Sequence, residues 1–142
     1  MVYTDLTRKA MGISCKAHEG QKDKGGFPYI HHPIYVAVGM QNEIEAAVAL
    51  LHDVIEDSNF TAEQLLDAGI SRIVVETVQI LTHRQGEKYM DYIDRIRENP
   101  IACHVKVADL QHNMDLSRLQ TVTEKDIQRV NKYKIALKRL TE

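Results

Sequence analysis

No stretch of the sequence approaches the roughly 20 consecutive apolar residues that a membrane-spanning helix needs. The opening MVYTDLTRKA also lacks the apolar core of a secretory signal, so the expected location is the cytoplasm. Cysteine is scarce: Cys15 and Cys103 stand alone, neither with a second cysteine at metal or redox spacing. That argues against a thiolate metal site and a disulfide framework, and leaves two reduced thiols as the expectation. Neither sign of charge dominates, because 18 Lys and Arg face 20 Asp and Glu for a formal charge of −2. Without a strong field of one sign, nucleic acid and anionic lipid are poor candidates for partners, and a small soluble substrate is the simpler expectation. There is no internal repeat, low-complexity tract or interdomain linker. At 142 residues, 44% apolar and only 6% aromatic, the sequence suits one domain, residues 1–142, with a sizeable core.

The pattern that is present is helical. Leu6, Ala10, Ile13 and Ala17 recur at helical spacing behind Thr4 and Asp5, which can cap an N-terminus, and Gly20 breaks the segment. QKDKGGFPYIHHP then packs Gly25, Gly26, Pro28 and Pro33 into nine residues, which predicts a structured loop entering a helix with Pro33 near its first turn. Further helices are predicted over residues 43–57, over 61–68 capped by Thr61, over 71–82 and through GEKYMDYIDRIREN up to Asn99-Pro100. IACHVKVADLQHNMDL and a last segment opened by Thr123 complete the series, with Gly69 and Gly86 as punctuation. Ile73, Val74, Val75 and Val78 favour strand by type, but Ile70, Val74, Thr77, Val78 and Leu81 recur at threes and fours. The expected fold is all-α, a bundle of seven or eight helices around a polar site.

Within that bundle His32, His52, Asp53 and Asp109 form an H…HD…D series, with the HD pair inside ALLHDVIEDS at the polar end of an apolar run. In residues 43–57, Ala47, Leu50, Leu51, Val54 and Ile55 make a core stripe. His52, Asp53, Glu56 and Asp57 fall at i, i+1, i+4 and i+5. A buried carboxylate cluster repels itself unless a cation neutralises it. Lys106, Asp109 and Asn113 form a second polar stripe, from which Asp109 can face His52 and Asp53 across the bundle. Imidazole and carboxylate ligands with open coordination positions let a divalent ion acidify water, so the series points to a metal-dependent phosphohydrolase.

HEGQKDKGGFPYIHHP, ALLHDVIEDS and VKVADLQHNM, in this order and spacing, resemble the HD-superfamily hydrolase domain of the Rel/Spo alarmone enzymes and of the small alarmone hydrolases. The resemblance covers roughly residues 15–119, and three motifs in register are far more specific than HD alone. It implies an α-helical HD domain that binds one Mn²⁺-like ion and removes pyrophosphate from the 3′ position of guanosine tetra- or pentaphosphate. By the same resemblance His32, His52, Asp53 and Asp109 match the metal ligands, Glu56 and Asp57 the pair that activates and orients water, and Asn113 a nucleotide contact. From sequence alone His31 could replace His32 as ligand; the family pattern favours His32 and sets His112 behind the site. His18, His83 and His104 read as surface or supporting groups.

The chain departs from the family on the substrate side. Asp23 stands where the alarmone hydrolases usually carry an Arg that stacks on guanine, Gly25 where they have a common Ser, Leu110 in place of a basic residue and Leu116 in place of a Thr. Phosphate contacts are then expected from Lys24 and Lys106, with Lys22 a further candidate, and Tyr92 is expected near a pocket lip beside Lys88 and Tyr89. The basic residues of the last helix accompany an ordinary core stripe, Ile127, Val130, Tyr133, Leu137 and Leu140, and read as a solvated face. Three functions compete: an alarmone pyrophosphohydrolase, a metal-dependent hydrolase of another nucleotide or small phosphate ester, and a catalytically silent sensor. Retention of both Glu56 and Asp57 argues against the last. In either enzyme the expected chemistry is in-line attack by water on a phosphoryl group, with Glu56 or Asp57 accepting the proton.

Overall fold

A computed structural model describes residues 1–142. The chain forms nine α-helices: α1 (Asp5–Ala17), α2 (His31–Val38), α3 (Glu43–Leu51), α4 (Val54–Asp57), α5 (Ala62–Asp67), α6 (Arg72–Leu81), α7 (Tyr89–Arg97), α8 (Pro100–Asn113) and α9 (Glu124–Thr141). A 3-10 turn, Leu116–Arg118, lies between the last two. The only β pairing is an isolated bridge between Lys22 and Pro28, so the Val-rich segment is helical, as its spacing predicts. No helix is long and apolar enough to cross a membrane, and both cysteines are free.

Local chemistry sets the helix ends. Capping boxes open α1, α5 and α9 at Thr4, Thr61 and Thr123, where the hydroxyl accepts from the N3 amide and the N3 side chain accepts from the cap. Helix α5 closes on Gly69, whose φ of +94° favours glycine. There the Gly69 amide donates to Leu66 and the Ile70 amide to Leu65, and the Leu65 and Ile70 side chains are both buried.

The core is centred on α3. Residues Ala46 to Leu51 are all 0% exposed, and α1, α2, α6 and α8 pack around them while α7 and α9 pack with α8. A helix covered on all sides reads as apolar all round rather than as a stripe, and its three alanines leave room for neighbouring backbones to come close.

Three boundaries differ from expectation, one of them the end of α8, which stops at Asn113 short of the expected Leu116. Residues 43–57 are not one helix: α3 ends at Leu51, His52 and Asp53 form a turn, and α4 restarts at Val54. This split explains nine helices where the pattern predicts seven or eight. The Ala49 carbonyl, which a continuous helix offers to the Asp53 amide, accepts from the His52 ring at 2.5 Å, and Asp53 sits at φ −104°, ψ 0°, in the bridge region. Helix α7 starts at Tyr89 rather than Gly86, whose φ of +78° is incompatible with a helix interior.

The loop before α2 folds back on itself, the Asp23 amide donating to Phe27 and the Tyr29 amide to Gln21, each at 2.8 Å. This hairpin-like turn delivers Tyr29 and His32 to the open end of α3.

Candidate metal centre

Three elements converge at one point. His32 comes from the first turn of α2, His52 and Asp53 from the turn that ends α3, and Asp109 from the middle of α8. One ligand atom from each of the four lies within 4.8 Å of the others. His32 Nε2 is 2.8 Å from Asp109 Oδ1, and His52 Nε2 lies 3.1 Å from Asp53 and 3.4 Å from Asp109. Both histidines and Asp109 are buried.

The outer atoms of the rings are tied back. His52 Nδ1–H donates to the Ala49 carbonyl, which aims Nε2 into the cluster, where that buried atom has no hydrogen-bond partner. His32 Nδ1 is 2.7 Å from His112 Nδ1, and the two rings are parallel within 4°. Burial, Arg118 and the neighbouring imidazoles push His112 down to about 4, so at neutral pH it is uncharged and can accept a hydrogen bond from His32 Nδ1–H. Histidines held this way present Nε2 to a metal.

The electrostatics call for positive charge. Burial opposes an imidazolium at His52, yet Asp53 and Asp109 outweigh it and lift His52 well above the usual histidine range. Burial likewise opposes the charged carboxylates, but His52 holds Asp53 at about 2, and Lys106 with the two histidines holds Asp109 well below the usual range. An orphaned imidazole nitrogen between two ionised carboxylates, one buried and one half-buried, fits a divalent cation.

Around the four donors lies a supporting ring. Lys106 Nζ donates to Asp109 Oδ2 at 2.8 Å and Asn113 Nδ2 to Oδ1 at 3.0 Å. The Tyr29 hydroxyl donates to Asp53 Oδ2. Glu56 is exposed at the rim and accepts from the His83 backbone amide at 2.5 Å. Burial of part of its carboxyl, with the Asp53 and Asp57 charges, raises its pKa despite that bond and Lys106. Asp57 is raised too, by burial first and then by Asp53.

Two cavities flank the cluster and share Asn113 and Tyr133. One, about 240 Å³, contains Glu56, His83, Tyr89, Tyr92 and Lys106. Tyr92 spends its hydroxyl on the Leu81 carbonyl at 2.5 Å, and Lys106 lies 5.3 Å above its ring. The other, about 290 Å³, reaches from His32 to Lys22 and Lys24. His31 is exposed and packs near Tyr35 and His112, outside the cluster. Lys88 lines neither cavity.

Tyr29, the His83 amide and Arg118 were not singled out by sequence reasoning, although Tyr29 lies inside the quoted FPYIHHP. Since Tyr29 donates to the Asp53 oxygen that faces the two histidines, Tyr29→Phe is expected to weaken divalent-metal affinity by about 10- to 100-fold without unfolding the chain. Metal titration read by calorimetry checks this, and unchanged affinity would remove Tyr29 from that role.

No protein-family model matches the chain. It is 34% identical over 128 residues to a GTP pyrophosphokinase of Myxococcus xanthus. It is 35% identical over 116 residues to a guanosine-3′,5′-bis(diphosphate) 3′-pyrophosphohydrolase of Haemophilus influenzae, and 36% over 121 to the bifunctional (p)ppGpp synthase/hydrolase SpoT of Escherichia coli. Its homologues are Rel/Spo enzymes. These matches take in 78%, 72% and 75% of this chain, which spans only 17% of the length of each Rel/Spo relative. The solved structure of a metazoan ortholog of SpoT, described as hydrolysing ppGpp, aligns with a TM-score of 0.75 over 99% of this chain and 85% of that one. At 22% identity that likeness establishes a shared all-helical fold.

Proposed function

We propose that residues 1–142 form a metal-dependent phosphohydrolase domain that releases pyrophosphate from the 3′ position of guanosine tetra- or pentaphosphate. The observation that carries this reading is the cluster of four donor atoms within 4.8 Å of one another, with Glu56 and Asp57 on the short helix that follows Asp53. Kinship with Rel/Spo enzymes supports the choice of substrate.

His32, His52, Asp53 and Asp109 would hold one divalent ion, Mn²⁺ by the family resemblance. When bound, it would supply Lewis acidity, polarising a phosphoryl oxygen and lowering the pKa of water. Glu56 accepts the proton of the attacking water and Asp57 orients that water. Lys106 keeps Asp109 ionised, Asn113 and Lys24 contact the nucleotide, and Tyr92 forms a wall beside Lys106.

A second reading, hydrolysis of another nucleotide or small phosphate ester, is favoured by one feature. Asp23 replaces the family's stacking Arg, and its carboxylate is engaged by Arg118 at 3.2 Å. The test is product release by Mn²⁺-loaded protein given guanosine tetraphosphate beside a panel of nucleotides and nucleoside monophosphates. Pyrophosphate released from the tetraphosphate alone supports the first reading. Turnover of another phosphate and none of the tetraphosphate supports the second.

A further inference from the structure

Glu56 stands exposed on the four-residue helix α4, and the His83 amide is the one hydrogen-bond donor that holds its carboxylate. His83 in turn opens a stretch, residues 83–88, that contains no apolar side chain beyond a glycine. Hydrophobic packing therefore cannot place it. Hydrogen bonds do so, and most of them run through Arg95 of α7.

The last carbonyls of a helix have no partner within it, and α6 carries no basic residue in its last turn. Helix α7 supplies the missing donors. Arg95 Nη1 donates to the Ile80 carbonyl at 2.7 Å, the Tyr92 hydroxyl to that of Leu81 at 2.5 Å and Arg95 Nη2 to that of Thr82 at 3.2 Å. Three consecutive carbonyls are thus capped, and the guanidinium charge suits the negative end of the α6 dipole. The same fork grips Glu87 at the other end of the loop, Nε to Oε2 at 3.0 Å and Nη2 to Oε1 at 2.9 Å. Four of its five N–H groups have protein acceptors.

Glu87 closes the turn around His83. Its carboxylate accepts from the Arg84 amide at 3.2 Å, its amide donates to the Arg84 carbonyl at 3.1 Å and its carbonyl lies 2.7 Å from His83 Nε2. The bonds from Arg95 help hold the Glu87 carboxyl at about 2, so it is ionised at neutral pH. The pair is well enclosed, with side chains 19% and 13% exposed, unlike the open ion pairs that contribute little.

We propose that Arg95 is a positioning residue for hydrolysis: with Glu87 it clamps residues 82–88 so that the His83 amide holds the Glu56 carboxylate beside the metal cluster. This rests on the reading of Glu56 as the base. Neither Arg95 nor Glu87 lines the cavity that contains Glu56, so the clamp acts on the reacting groups through backbone alone. Its loss is therefore expected in kcat and not in KM.

The test combines amide hydrogen exchange of the full chain, read by nuclear magnetic resonance without substrate, with kcat and KM of Mn²⁺-loaded protein on guanosine tetraphosphate. Arg95→Met keeps the length of the side chain and its packing over Tyr92. It should speed exchange at the His83 amide by about 10-fold or more and lower kcat by about 10- to 100-fold, with KM and Mn²⁺ affinity unchanged. Arg95→Lys, which keeps the charge without the fork, should fall between native and Arg95→Met. In a Glu56→Gln background Arg95→Met should cost no further activity, because both changes act at one group. Glu87→Gln leaves the α6 carbonyls capped and should shift exchange and kcat in the same direction; it decides the matter if Arg95→Met does not fold. A lower melting temperature with native His83 exchange and native kcat, or an equal loss of kcat with and without Glu56, overturns the proposal. Faster His83 exchange in a chain that hydrolyses no phosphate ester would keep the clamp and sink the reading of Glu56 as base. Hydrolysis with native His83 exchange in both variants would do the reverse.

Discussion

Asp53→Ala is expected to abolish turnover and to release the divalent ion. Asp53 contributes one of two carboxylates at a point where His52 Nε2 lies 3.1 Å away and His32 Nε2 lies 3.9 Å away. Without it the four-donor set becomes three, and half of the anionic charge that attracts a dication is gone. Lewis-acid activation accounts for several kcal/mol of a metal-dependent barrier, so the rate should fall by at least about 10³-fold. Metal content by atomic absorption and product release by chromatography give the two readings, and a circular-dichroism melt shows that the helices remain. A variant that retains one ion per chain and the native rate would remove Asp53 from the ligand set. Asp109, held ionised by Lys106 and the histidines, supplies the other carboxylate, so Asp109→Asn should give the same loss.

Glu56→Gln is expected to lower kcat by on the order of 10²- to 10⁴-fold while the ion stays bound. The amide can still accept from the His83 N–H, so the substitution removes basicity and little else. The native protein carries a related signature in its pH profile. Burial raises the Glu56 pKa above 4.5, and a general base works only when ionised. Activity should therefore be present above the folded-state pKa and decline as pH falls through it, with a limb of unit slope lying above the ordinary glutamate range. In Glu56→Gln that limb should vanish. If the rate is native, or the limb persists, Asp57 becomes the base, since its pKa is raised by the same burial and by the Asp53 charge.

Fold class could be read from spacing because every helix except the two shortest, α4 and α5, buries residues three or four apart. The approach of His32, His52, Asp53 and Asp109 was legible for a related reason: two carboxylates and two imidazoles at the ends of apolar segments have to share a buried region. What escaped depends on individual hydrogen bonds. The break at His52 and Asp53 leaves no trace in periodicity, because the apolar pattern of residues 46–55 runs through it; the side-chain bond from His52 to Ala49 occurs there. Tyr29 reaches Asp53 across 24 residues by the path of an irregular loop. The His83 group that meets Glu56 is a backbone amide, for which side-chain identity gives no signal. Arg118 lies on a three-residue 3-10 turn, too short for any period, and its partner Asp23 is 95 residues away.

The donors of the cluster are widely separated along the chain, with His32 and Asp109 77 residues apart. A cation held between them would act as a reversible cross-link, closing a long loop much as a disulfide does, in a chain whose two thiols are unpaired. Because the unfolded chain holds these groups apart, the ion would bind the native state preferentially and shift the folding equilibrium toward it in proportion to the logarithm of free metal concentration over Kd. Metal supply would thus govern how long the molecule survives in the cell as well as how fast it turns over.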